Sequence, residues 1–173
     1  MNNQTPEIIL AAVQQNGLAL EYAKEQNHEI CLAAVKQNGW ALKDVKNQTA
    51  DICLAAIKEN GCAVEYVQNP TKELYVDAVN SNIKALQHIT NKDIITIICN
   101  SLNILYLPSN ANHRDLIIRC IDGKYRCWIG CQENISIENL ICRIHNDEGG
   151  LDENPHRKYY IDFLKEHNLY NVA

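Results

Sequence analysis

With 173 residues, 46% of them apolar and 21% charged, the chain can bury a real core and is too ordinary in composition for a disordered or collagen-like protein. Its net charge of −5 is spread almost evenly along the sequence, which argues against a general polyanion binder. No apolar run reaches the length that a membrane helix needs, and Met1-Asn2-Asn3-Gln4-Thr5-Pro6 lacks the cationic stretch and apolar core of a secretory signal, so the eight cysteines are expected as thiols inside a cell.

Self-similarity dominates the first ninety residues. The segment Glu7-Ile-Ile-Leu-Ala-Ala-Val-Gln-Gln-Asn-Gly17 recurs from Glu29 to Gly39 and from Asp51 to Gly61, each copy 22 residues after the last, and a fourth copy from Glu73 has Ile83 in place of the glycine. Each copy predicts two helices. Thr5, Asn27, Thr49 and Thr71 stand where N-caps belong, with an acid (Glu7, Glu29, Asp51, Glu73) two residues on to complement the helix dipole. The first helix should end at Asn16-Gly17, Asn38-Gly39 and Asn60-Gly61, where glycine is expected to take a left-handed C-cap. A shorter helix continues through Leu18–Ala23 and its equivalents.

Comparing the copies separates core from surface. The phases of Ile8, Ile9, Ala12 and Val13 stay apolar, whereas that of Ala11 becomes Asp77 and should face water. Ala12, Ala34, Ala56 and Ala78 do not vary, nor do Ala19, Ala41, Ala63 and Ala85, which predicts close helix approach. Cys31 and Cys53 share the Ile9 phase and are read as packed thiols. One such unit cannot cover its own apolar face, so the copies are expected to stack, with residues 93–106 as a degenerate fifth unit capping the array. The run EICLAAVKQNGWAL closely resembles a family of tandem repeats, known only as a domain of unknown function, that occurs in giant DNA viruses of amoebae and in some intracellular bacteria. The resemblance covers about residues 5–90 and implies no chemistry, because none is assigned to the family.

The loop composition of residues 107–112 marks a boundary, giving a helical repeat domain at 1–107 and a small module at 108–173. In the module, Asp122-Gly123 predicts a hairpin pairing Ile121 with Lys124, Arg119 with Arg126 and Ile118 with Cys127. Alternation puts Leu116, Ile118, Cys120, Tyr125, Cys127 and Ile129 on a core face, opposite Ile117, Arg119, Ile121, Lys124, Arg126 and Trp128. Ser136 should cap a helix with Ile137, Leu140, Ile141 and Ile144 on one side, ended by Gly149-Gly150, and Asn154-Pro155 should open another with Tyr160, Phe163 and Leu164 inward. The predicted fold is thus mainly α: an array of two-helix repeats followed by a small ββαα module.

Three groups of residues could carry function. Cys127, Cys131, Cys142 and His145 have the residue types of a zinc site, but their spacing is irregular and Cys127 already has a buried place on the hairpin, so packed thiols are the preferred reading and no cofactor is expected. Arg119, Lys124, Arg126 and Trp128 would form a basic face suited to an anion or an acidic partner, since Arg119 and Arg126 pair directly and repel. Along the array, the phase of Leu18, Trp40, Cys62 and Lys84 varies, as does that of Tyr22, Asp44, Tyr66 and His88. Variable positions on a repeated scaffold are what repeat proteins use for recognition, so Trp40, Tyr22 and Tyr66 are candidate anchors with Leu18 and Asp44 beside them. Packing of Trp40 on the next repeat carries equal weight. His113-Arg114-Asp115-Leu116 spells part of a kinase loop, but Cys120 replaces the metal-binding asparagine, and no acid–base group is paired with a nucleophile.

The leading expectation is a non-enzymatic protein-interaction module with an unidentified protein partner, acting, as the resemblance implies, in a host cytoplasm. An anion- or small-molecule-binding enzyme accessory built on Arg119 and Arg126 ranks second. A zinc-stabilised nucleic-acid binder ranks third.

Overall fold

The computed structural model describes residues 4–108, 115–129, 132–146 and 155–170. The chain divides into two units, Met1–Ile95 and Thr96–Ala173. In the first, the sequence period becomes four α-helices alternating with four 3-10 helices: α1 (Pro6–Gln15) and η1 (Gly17–Tyr22), α2 (His28–Gln37) and η2 (Gly39–Asp44), α3 (Ala50–Glu59) and η3 (Gly61–Tyr66), α4 (Lys72–Ser81) and η4 (Ile83–His88). The expected helix pairs are present, with the shorter member wound to the tighter form.

Each 3-10 helix has six residues, long for a form whose hydrogen bonds align poorly. All four are held by a side chain at the N-terminal end, and the first three at both ends. Asn38 is extended, at φ −153 and ψ 111, and its Oδ1 accepts the Trp40 N–H at 3.0 Å; Asn16, Asn60 and Asn82 do the same for Leu18, Cys62 and Lys84. One residue thus ends an α-helix and caps the 3-10 helix after it. At the other end, glutamines clasp successive loops. Gln4, Gln26 and Gln48 donate through Nε2 to the carbonyls of Tyr22, Asp44 and Tyr66 at 3.1, 2.9 and 2.8 Å. Their Oε1 atoms accept the N–H groups of Lys24, Lys46 and Gln68 at 3.1, 3.0 and 3.1 Å. In the second and third of these clasps the same oxygen also takes a thiol, from Cys31 and Cys53 at 3.7 Å. These two cysteines are buried, as expected, but each has a polar task as well.

The expected left-handed glycine caps are absent: none of Gly17, Gly39 and Gly61 has a positive φ. The glycines are required for space. A Cβ on Gly39 would stand 2.6 Å from the carbonyl oxygen of Ala56 in the next unit, and one on Gly17 or Gly61 would meet the Ala34 or Ala78 carbonyl closer still. Backbone therefore lies on backbone at every seam, which also explains the alanines, since Ala34, Ala56, Ala78, Ala41, Ala63 and Ala85 are fully buried. In the first unit, Ala12 is exposed and Ala19 half-buried. These phases face the preceding unit. The Ile8 phase follows this in part: Ile30 and Ile52 are buried and Leu74 is half-buried, whereas Ile8 is 57% exposed. Val13, Val35, Ile57 and Val79 are all fully buried, and Asp77 is exposed as expected.

After the repeats, α5 (Lys92–Leu102) occupies only part of the segment expected as a fifth unit. The rest of that segment is strand β1 (Ile104–Leu107), which joins β2 (Leu116–Ile121), β3 (Lys124–Ile129) and β4 (Gln132–Ser136) in an antiparallel sheet of order β1-β2-β3-β4. The expected hairpin register holds at every rung from Leu116–Ile129 to Ile121–Lys124, and Asp122 and Gly123 turn at φ 51 and 74. Two strands beyond the predicted pair are thus present, and the module is four-stranded. Ser136 Oγ accepts the Asn139 N–H at 3.2 Å and caps α6 (Ile137–Asn146), as read from the sequence; α7 (Pro155–Glu166) comes after it. Gly149-Gly150 and Asn154 lie outside the described residues.

The second core joins Leu116, Ile118 and Cys127 on the sheet to Ile137 and Leu140 on α6 and Tyr160, Ile161 and Leu164 on α7. Cys120 and Tyr125 depart from the expected core face. Both are exposed, because their rung lies beyond Arg126–Ser136, where β4 ends and the chain turns into α6. Ile117, expected outside, is buried, so both faces of the sheet are covered at that end.

Candidate functional site

The 3-10 helices carry both variable phases. Their last residues, Tyr22, Asp44, Tyr66 and His88, occupy equivalent places in successive units, as the repeated glutamine clasps on the carbonyls of Tyr22, Asp44 and Tyr66 require. Trp40 meets Tyr66 edge to face, ring centroids 5.7 Å apart, so it does pack on the next repeat. Both rings nevertheless stay half-buried, and Tyr22 is 72% exposed. Leu18 is half-buried too, while Cys62, in the same phase, is buried. The structure therefore brings Trp40 and Tyr66 together, with Asp44 on the same surface and Tyr22 standing out beyond it.

Asp44 is the anomaly on this face. Its side chain is 20% exposed, yet Oδ2 is sealed from solvent without a hydrogen-bond partner among the described residues, and Lys43 Nζ lies 3.9 Å away, beyond hydrogen-bond reach. Burial pushes the Asp44 carboxyl above its ordinary value, Lys43 opposes that, and the charge of Glu21 reinforces it. Further along, His88 Nδ1 and Glu65 Oε2 meet at 3.0 Å, so that carboxylate has a mate within the face.

A second surface runs along the α-helices. Leu32, Leu54, Ala55, Lys36, Lys58, Asp51 and Glu59 line an open groove between α2 and α3 of ≈ 430 Å³. The half-exposed phase of Leu10, Leu32, Leu54 and Val76 was not singled out from the sequence, because a constant apolar phase reads as core. Gln4, Gln26 and Gln48 were missed as well. Their signal was available in the identical residue at 22-residue spacing, ending at Pro70.

In the second unit, Arg119 and Arg126 pair directly, as expected, and both are half-buried, with Lys124 exposed and Trp128 half-buried. The charge of Arg126 reaches Glu138 on α6, whose carboxyl is held below its ordinary value by hydrogen bonds at the helix start and, to a smaller extent, by Arg126. An acid of the chain itself thus offsets part of this basic face. Of the zinc candidates, Cys127 is fully buried in the core, and burial pushes its thiol up to about 12. Cys131 lies outside the described residues, as do the side chains of Cys142 and His145 on α6. Among the described residues no three His, Cys, Asp or Glu side chains are placed to hold a metal.

Two overlapping segments, residues 5–49 and 27–70, match a family described as "Domain of unknown function (DUF4116)". The matches begin 27 − 5 = 22 residues apart, so the family pattern repeats with the period seen in the structure. No curated protein and no solved structure matches the chain. Among the described residues no helix is long and apolar enough to cross a membrane.

Proposed function

We propose that the repeat array is a non-enzymatic protein-recognition scaffold, and that the surface built by Leu18, Tyr22, Trp40, Asp44 and Tyr66 on the 3-10 helices is its binding face. The observation that carries this reading is the contrast between fixed and variable phases. Residues that join the units (Asn, Gly, Ala and Gln) repeat, while those on the 3-10 surface change from unit to unit and include half-buried aromatic rings. A rigid frame that varies only its outward positions suits recognition, and Trp and Tyr are the residue types that most often anchor interfaces. The buried and half-buried cysteines among the described residues support a non-catalytic reading too: burial raises the thiols of Cys31, Cys53, Cys62, Cys99 and Cys127, whereas a nucleophile needs a lowered one. The resemblance to repeats of giant viruses and intracellular bacteria supports a host cytoplasm as the place of action.

The test is affinity capture from host-cell lysate with the intact chain and with Trp40→Ala. The reading expects a partner that the variant loses while keeping its helical circular dichroism. A partner retained equally by Trp40→Ala and by Tyr66→Ala contradicts the assignment of this face.

A further inference from the structure

Asp44 stands in the row of aromatic residues, and that placement suggests what the face takes. Tyr22, Asp44 and Tyr66 are equivalent residues of successive units, so the carboxylate is flanked by a tyrosine on either side along the row, and Trp40, on the same 3-10 helix as Asp44, lies against Tyr66. A carboxylate oxygen without water or a hydrogen-bond donor is costly to keep. The cation beside it is a poor substitute for one, because Lys43 Nζ stops 3.9 Å from Oδ2 and its side chain remains 43% exposed. The other charges of the surface do not relieve Asp44. Glu21 adds negative charge near it, Glu65 is occupied by His88, and Lys84 belongs to the neighbourhood of Cys62 and Glu65 one unit on.

A site composed of one underpaired carboxylate, a second acid and aromatic faces is complementary to a flat cation that can both hydrogen-bond and stack. We propose that Asp44 receives an arginine side chain of a protein partner, whose guanidinium displaces Lys43 and lies among Tyr22, Trp40 and Tyr66. Guanidinium is favoured over ammonium because the face already has an ammonium beside Asp44 and leaves the oxygen unsatisfied, whereas a planar fork can supply two donors and a stacking surface together. This inference rests on the recognition face proposed above and names the chemistry read by it.

The experiment is an NMR titration of the intact chain with the blocked peptide acetyl-Gly-Arg-Gly-amide and with its lysine counterpart. The two tryptophans give separate indole signals, so Trp128 in the second unit serves as an internal control. The proposal expects the Trp40 signal to shift saturably with the arginine peptide while that of Trp128 stays fixed, and the lysine peptide to bind about tenfold more weakly. Asp44→Asn should weaken the arginine peptide about tenfold, whereas Lys43→Ala, which removes the competing ammonium, should strengthen it about threefold. Equal binding of the two peptides, or an unchanged titration in Asp44→Asn or in Lys43→Ala, overturns the proposal. If the titration fails while partner capture still depends on Trp40, the recognition face stands and only its arginine chemistry falls.

Discussion

In the repeat array a glycine is used for the room it leaves: Gly39 sits against the Ala56 carbonyl, where a Cβ would stand 2.6 Å from the oxygen, and its φ is not left-handed. In the sheet unit a glycine is used for the conformation it permits: Gly123 turns the hairpin at φ +74 with nothing within 4 Å of where a Cβ would be. The array is joined by short-range seams that recur at each unit, and its side-chain hydrogen bonds recur with them. The sheet unit is joined once, around a single core of Leu116, Ile118, Cys127, Leu140 and Leu164, with few repeated features. Damage at a seam should therefore report on crowding, and damage at the hairpin on backbone strain.

The largest effect is expected from Ala56→Leu. Ala56 is fully buried at a seam, and the added branches should cost about 1–3 kcal/mol in urea unfolding. Gln48→Ala comes next: it removes the donor to the Tyr66 carbonyl and the acceptor for the Gln68 N–H and the Cys53 thiol, and should cost about 1–2 kcal/mol, more than Gln4→Ala, whose bonds are exposed. If the two glutamine variants are equally stable, the clasps are not part of what joins the units.

The 22-residue period, the buried alanine phases and the hairpin register were all legible in the sequence, because each is a spacing that geometry converts directly into a face. The seams were less so. Asn38-Gly39 reads as a left-handed cap when only its own helix is considered, and the pressure that excludes a side chain there comes from a carbonyl in the next unit. Gln26 and Gln48 carry tertiary hydrogen bonds, which no local propensity encodes. Strand β4, Gln132–Ser136, is short and largely polar, and β1 comes so soon after α5 that its Ile104-Leu-Tyr-Leu107 run reads as more helix. The variable aromatic phases were visible as candidates, but the sealed Asp44 oxygen among them needed coordinates.

Two smaller effects sharpen the contrast. Gly123→Asn should change stability by only a few tenths of a kcal/mol, about 0.3, because asparagine tolerates a left-handed turn and the space is open. A loss as large as that of the seam variants would remove the distinction between the two glycines. Asp44→Asn should give a pH-dependent difference. Its folded carboxyl is raised, so ionisation is disfavoured in the folded state, and stability falls as pH climbs from the unfolded value of about 3.9 through the raised folded one. The amide variant escapes this loss. It should match the parent below that window and melt slightly higher at neutral pH; identical melting curves at both would show that Asp44 is not desolvated.

The most direct measurement is the urea unfolding of Gly39→Ala. On an ordinary site with negative φ, replacing glycine by alanine stabilises by about 0.4–1 kcal/mol, because the unfolded chain loses freedom. The close seam predicts the opposite sign, a loss of about 1–3 kcal/mol, because the methyl group meets the Ala56 carbonyl. Unchanged or increased stability of Gly39→Ala would contradict the account of how the units are joined.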